Sequence, residues 1–205
     1  MAGRKNRQER MQELLSFDAK WRDMGLVAGM DEVGRGPLAG DVVTACVVMP
    51  REPALLWVDD SKKLSEKRRE SVYEEILRIA RYVGVGIISP EEIDRINILN
   101  ATKAAMKQAA REAHAAIYLI DALSGLGLDG EERGIIHGDA LSYSIAAASI
   151  VAKVTRDHQM LEADRLYPEY GFARHKGYGT KEHIEALRQY GPCPLHRRSF
   201  ITHFV

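Results

Sequence analysis

The sequence predicts an α/β fold built on a mixed sheet, and three patterns carry that reading. Two strand-like stretches come early and are joined by a short Gly/Pro turn, which pairs them antiparallel. Later apolar stretches alternate with helical ones, the pattern of parallel strands with crossover helices on the faces of the sheet. Acidic residues recur at the ends of the apolar stretches: Asp31 with Glu32, then Asp121, then Asp139.

Residues 6–23 place Met11, Leu14, Leu15, Phe17 and Trp21 at helical spacing, with a basic opposite face. Residues 1–24 therefore read as a basic amphipathic helix packed on a body of residues 25–205, with one core overall. Strands are expected at 25–32, 41–49 and 82–89, the first two joined by the turn 33–40. A helix follows from Ser65, its N-cap, to Arg81, and another spans about 98–114. The apolar run Ala115 to Ile120 ends at Asp121, and a short strand from Gly134 to His137 leads to Asp139. A long helix is expected over 142–166 with Pro168 beyond its end, and a last one over Lys181–Gln189 with Thr180 as its N-cap. No internal repeat or low-complexity linker interrupts this order.

The 205 residues carry 29 Lys and Arg against 29 Asp and Glu, a balance that hides an asymmetry. Arg4, Lys5, Arg7, Arg10, Lys20 and Arg22 face three acids in residues 1–22, and Arg174, Lys176, Lys181, Arg188, Arg197 and Arg198 face two in residues 171–205. Basic ends around an acidic middle fit a phosphate-backbone partner. Cys46 and Cys193 are too few and too far apart for a disulfide framework or a zinc site, so a reducing compartment is the expectation. The basic N-terminus lacks the apolar core of a signal peptide and no apolar run approaches membrane-spanning length, which predicts a cytoplasmic protein without a membrane partner.

Two adjacent acids on a strand point to opposite faces, so Asp31 and Glu32 cannot both decorate one solvent face. They run directly into Val33-Gly34-Arg35-Gly36, where glycines bare the backbone N–H groups. If the strands ending at Asp31, Asp121 and Asp139 are neighbours, four carboxylates converge at the sheet edge where α/β sites form. Such a cluster needs cations, and oxygen-only ligation favours Mg²⁺ or Mn²⁺ over zinc. Two ions about 3.5–4 Å apart are the usual device for in-line displacement at a phosphodiester. Asp157 is the rival to Asp139, but a helix rises about 1.5 Å per residue, which puts it on the order of 25 Å along the chain from Asp139. It reads instead as a helix residue pairing with Arg156 or Lys153, while Asp41, Asp59, Asp60 and Asp94 read as turn or cap residues.

Met30 through Gly40, Asp60-Ser61-Lys62-Lys63-Leu64-Ser65, Leu119-Ile120-Asp121, Gly138-Asp139, Ile145 through Asp157, and His175-Lys176-Gly177-Tyr178-Gly179-Thr180 together resemble bacterial ribonuclease HII, in order and with compatible spacing over about residues 24–200. The resemblance implies a ribonuclease H-like catalytic domain with a five-stranded mixed sheet, extended by N-terminal and C-terminal helical additions. It implies a metal-dependent endonuclease that cuts the RNA strand of RNA–DNA hybrids and the 5′ side of ribonucleotides embedded in duplex DNA, using two divalent cations, Mn²⁺ or Mg²⁺. The family's four acids fall on Asp31, Glu32, Asp121 and Asp139, its ribose-reading turn on Gly34, Arg35 and Gly36, and its stacking tyrosine on Tyr178. Lys62 and Lys63 match a loop near the nucleic acid. The related ribonuclease HIII carries an additional N-terminal domain for which 24 residues are too few, so a monomer without accessory subunits is expected. A metal-dependent phosphatase or DNA nuclease would keep the acids without needing the Gly34-Arg35-Gly36 turn or Tyr178. A silent hybrid-binding module would lack an acid, and all four are present.

Overall fold

Val42–Val48 is buried at every position, as a strand covered on both faces must be, and it lies next to the centre of the sheet. The computed structural model describes residues 6–205. Its five strands are β1 (Val27–Val33), β2 (Val42–Val48), β3 (Tyr82–Ile88), β4 (Ile117–Asp121) and β5 (Glu131–Ile135). They run in the order β3-β2-β1-β4-β5, with β1–β2 and β2–β3 antiparallel and β1–β4 and β4–β5 parallel. This is the mixed sheet that the early meander and the later strand–helix alternation predict.

The helices are α1 (Arg7–Asp18), α2 (Glu66–Ile79), α3 (Pro90–Ile96), α4 (Ile98–Ala110), α5 (Tyr143–Leu166), α6 (Phe172–His175), α7 (Lys181–Tyr190) and α8 (Arg198–Ile201). Leu14 of α1, Val72 and Ile76 of α2 and Ile150 and Val151 of α5 form one core with Ala45 and Val47 of the sheet. Met106 and Ala109 of α4 pack with Met30, Cys46, Tyr118 and Ile120 on the opposite face. Alternation then puts the residues next to Met30 and Ile120 on the α5 side. Gly29 lets α5 touch the sheet: a Cβ there would lie 2.0 Å from the Ser144 carbonyl carbon.

Three expectations shift. The first helix ends at Asp18 and tightens into a 3-10 turn, Ala19–Met24, that stops at Gly25 with φ +129°. At the junction Asp18 is buried, and its Oδ2 accepts bonds from Ser144 N (2.8 Å) and Ser144 Oγ (2.7 Å) in the first turn of α5. Residues 1–5 of the expected N-terminal segment lie outside the described residues. The fifth strand is Glu131–Ile135 rather than Gly134–His137: as an edge strand it hides little, its first residues are polar, and Ile136 of the apolar triplet is 73% exposed. The expected helix 98–114 stops at Ala110 and is preceded by α3, not among the expected elements, whose N-cap Ser89 and first residue Pro90 are standard start signals.

Candidate active site

Asp31 and Asp121 stand side by side because their strands run parallel in matched register. Met30 pairs with Ile120, and each acid is the next residue, on the α5 side of the sheet. Asp139 reaches the same edge from a 3-10 turn, Gly138–Ala140, and Asp121 Oδ1 holds that turn by accepting Gly138 N at 2.7 Å. Asp31 is 6% exposed and its carboxyl is pushed well above the usual range, first by burial and then by Glu32 and Asp121. Burial likewise raises Glu32, against the opposing pull of Arg35, and raises Asp121, with Asp139 adding to the effect. The four acids thus share one field, as the strand-end argument requires.

Arg35 Nη1 donates to Glu32 Oε1 at 3.3 Å, and Lys62 Nζ to Asp139 Oδ2 at 3.2 Å, so two cations of the protein itself lie against the cluster. Glu32 Oε2 is buried without any partner. Among the described residues no three His, Cys, Asp or Glu side chains are placed to close on one ion.

The turn beyond β1 is shaped by what lies under it. Gly34 has φ +91°, and a Cβ there would fall 2.3 Å from Arg156 Nε and 2.7 Å from Asp41 O, so no other residue fits. Gly36 borders Tyr178, whose ring would be 4.0 Å from a Cβ at that glycine, and Tyr178 is 46% exposed. The Tyr178 segment is fastened to residues 38–39 through Gly177 O, which accepts Leu38 N at 2.9 Å. The structure therefore brings Gly34, Arg35, Gly36 and Tyr178 to one rim beside the acids. Lys62 reaches that rim, while Lys63 is half exposed and pairs with Asp60 at 3.7 Å. Lys176, expected to face phosphate, turns its Nζ to Ala173 O at 2.6 Å.

Asp157 bonds Lys153 Nζ at 2.5 Å, as expected, and Arg69 Nη1 at 3.4 Å, which was not. Arg69 also donates to Ser61 O and Leu64 O, so Asp157 braces the loop that carries Lys62 and Lys63. Arg156 is not its partner. That guanidinium is fully buried and donates to the carbonyls of Ala39, Asp41 and Lys176. Its one legible signal was a charge on the small-residue face of α5. Arg197, also fully buried, gave no periodic signal at all.

Beneath Tyr178 lies a buried chain of neutral histidines. Tyr178 O accepts from His183 Nδ1 (2.9 Å), so His183 Nε2 is an acceptor for His196 Nε2 (3.0 Å), and His196 Nδ1 accepts from Cys193 N (3.0 Å). Burial depresses both, and His196, with His183 beside it, is held down to about 4. A histidine whose folded value is depressed leaves stability intact above the unfolded value of about 6.5 and removes it as pH falls from there toward the folded value. The raised carboxyls of Asp18, Asp31, Glu32 and Asp121 act in the opposite sense, since acid protonates them first in the folded state. The comparison must therefore be differential: His196→Phe should lose less Tm than wild type between pH 7 and pH 4.5. Equal losses by thermal melts would mean that the histidine chain does not titrate with unfolding.

A five-stranded mixed sheet flanked by helices, with acids at the ends of its two central parallel strands, places this chain among enzymes of ribonuclease H-like fold. The solved structure of ribonuclease H2 from Pyrococcus horikoshii superposes with a TM-score of 0.70 at 27% identity, covering 84% of this chain and 92% of that one. A chain of the PCNA:RNase HII complex from Archaeoglobus fulgidus gives 0.71 at 27%, covering 84% and 94%. Residues 28–203 match the ribonuclease HII family model, and the ribonuclease HII of Caldanaerobacter subterraneus is 51% identical over 197 residues, covering 94% of this chain and 82% of that protein. The chain belongs to the ribonuclease HII family and is a ribonuclease H enzyme.

Proposed function

We propose that this enzyme hydrolyses the RNA strand of RNA–DNA hybrids and cuts on the 5′ side of ribonucleotides embedded in duplex DNA, leaving 3′-hydroxyl and 5′-phosphate ends. The observation that carries the reading is the juxtaposition of the Asp31–Asp121 pair with a backbone turn, Gly34 to Gly36, and an exposed Tyr178 on one rim. Hybrids are told from DNA by shape and by the 2′-hydroxyl in a shallow groove, and a bare backbone turn reaches that hydroxyl better than a long side chain does. In the same reading Asp31, Glu32, Asp121 and Asp139 hold two divalent cations, Mg²⁺ or Mn²⁺. The unpartnered Glu32 Oε2 and the oxygen-only donor set fit them. When bound, such ions supply an activated water and stabilise the leaving oxygen.

The water oxygen bonds to phosphorus and gives up a proton to solvent, the P–O3′ bond breaks, and the departing O3′ takes a proton from solvent. The chain's own residues seat the substrate for that step: the turn and Tyr178 hold the ribose, Lys62, Lys63 and Arg35 meet phosphates, and the buried acids fix the reacting centre. Lys62, whose Nζ donates to Asp139 Oδ2 at 3.2 Å and whose side chain is 77% exposed, stands where it would meet a substrate phosphate beside the acids. The reading extends to action as a monomer without accessory subunits. No helix among the described residues is long and apolar enough to cross a membrane.

Tyr178 tests the substrate class. Tyr178→Ala should reduce cleavage at a single embedded ribonucleotide by about 10²-fold, consistent with loss of a stacked, oriented sugar, and should reduce cleavage of a long hybrid much less, because its many hydroxyls offer alternative registers. Tyr178→Phe should fall between wild type and Ala. Steady-state assays of the three proteins on both substrates decide it: equal losses would return Tyr178 to a structural role, and efficient cutting of all-DNA duplex would favour a general nuclease.

A further inference from the structure

Arg197 is fully buried. Its Cζ lies 5.2 Å from the centroid of the Phe200 ring, and among the described residues its guanidinium hydrogen-bonds only to backbone oxygens. Nε and Nη2 donate to Gly40 O at 3.0 and 2.7 Å, Nη2 also to Gly34 O at 2.6 Å, and Nη1 to Arg35 O at 3.0 Å. Asp41 and Asp94 favour its charge only through space, and burial, with Arg156 nearby, lowers it to about 9, so it remains a cation at neutral pH. Burying a guanidinium is expensive, and an apolar side chain would serve better if packing were its only task. The planar fork is what can hold several carbonyls in one fixed arrangement, which neither a lysine nor an apolar group can do.

Which carbonyls it holds is the informative point. In a trans peptide unit the C=O and the following N–H point in opposite directions. Gly34 O shares its unit with Arg35 N–H, and Arg35 O shares its unit with Gly36 N–H. With both oxygens drawn inward to one guanidinium, both N–H groups are turned outward. Among the described residues neither is taken by a protein acceptor. Two successive outward N–H groups make a concavity for an electron-rich oxygen, and this one opens beside Tyr178.

We propose that Arg197 is the positioning residue of ribose recognition: from inside the protein it holds the Gly34 and Arg35 carbonyls, and so keeps the N–H groups of Arg35 and Gly36 aimed at the substrate's 2′-hydroxyl oxygen. The inference rests on the substrate reading given above and names the device behind it. Arg156 holds the neighbouring carbonyls of Ala39, Asp41 and Lys176, which fixes the base of the turn but not those two peptide planes.

The test measures binding in metal-free buffer, so that turnover does not enter. Two duplexes are compared, one with a single ribonucleotide and one all DNA, with wild type, Arg197→Lys, Arg197→Met and Met106→Ala. The last is a core variant on the α4 side of the sheet that controls for general destabilisation, with Tm recorded for all four. Wild type should prefer the ribonucleotide duplex. Both Arg197 variants should lose that preference by about tenfold, equivalent to about 1.4 kcal/mol, whereas Met106→Ala should keep it at a comparable loss of Tm. Arg197→Lys retains charge and most of the length, so it reports even where Arg197→Met does not fold. Undiminished preference in Arg197→Lys, or the same loss in Met106→Ala, overturns the positioning role, as does a wild type that cuts at the ribonucleotide yet binds both duplexes equally. A wild type that neither prefers nor cuts the ribonucleotide duplex overturns the substrate reading itself.

Discussion

Asp31→Asn is expected to lower turnover by about 10³-fold or more while leaving hybrid binding intact, the scale that accompanies loss of charge stabilisation at a metal-centred site. Asparagine matches aspartate in size, and its amide oxygen can still accept Glu32 N–H, a bond of 2.7 Å in the native protein. What it removes is a buried negative charge next to Glu32 and Asp121. Without metal that charge is a liability, so Tm measured in chelator should match or exceed wild type. Asp121→Asn should behave in the same way, since Asp121 occupies the paired position on β4. Turnover above a tenth of wild type for Asp31→Asn would remove it from the reacting centre.

The second large effect separates Asp139 from Asp157. Asp139→Asn should cripple turnover and barely move Tm. It relieves repulsion on Asp121 and gives up a contact with Lys62, whose side chain is 77% exposed, so the lost pair carries little stability. Asp157→Asn should do the reverse. It leaves Lys153 and Arg69, only 22% and 12% exposed, without their anion, and should cost about 3 kcal/mol, within the range for breaking a buried pair. A moderate fall in activity should follow, because Arg69 also clasps the loop of Lys62 and Lys63. Thermal melts beside single-turnover rates on one substrate decide the matter, and the opposite pattern would place the fourth acid on α5.

These two acids mark where the sequence was legible and where it was not. Helix rise could separate Asp139 from Asp157, and Lys153 could be named as a partner of Asp157 at i−4, because both are local geometry. Arg69 could not, since it approaches from 88 residues away. Glu32 was flagged by its adjacency to Asp31, but its buried, unpartnered Oε2 depends on what covers the strand end.

The sequence by itself determined the first four strands and the acids at the ends of the first and fourth of them. Apolar runs specify which stretches become strands, period-two alternation specifies their faces, and the parallel pairing of β1 with β4 then puts Asp31 beside Asp121. It also set the glycines and the caps at Ser65 and Thr180, which answer to local backbone geometry. Tertiary structure alone decided the rest. The edge strand β5 carries no hydrophobic pattern because one side of it meets solvent, and Asp18 is buried at the end of the first helix because its partner, Ser144, comes from 126 residues away. Arg156, Arg197 and the His183–His196 pair answer to carbonyls and rings brought together from distant segments. Polar groups buried in this way have no periodicity. Their partners exist only once the chain has folded around them, and they shape the rim that the sequence could only name.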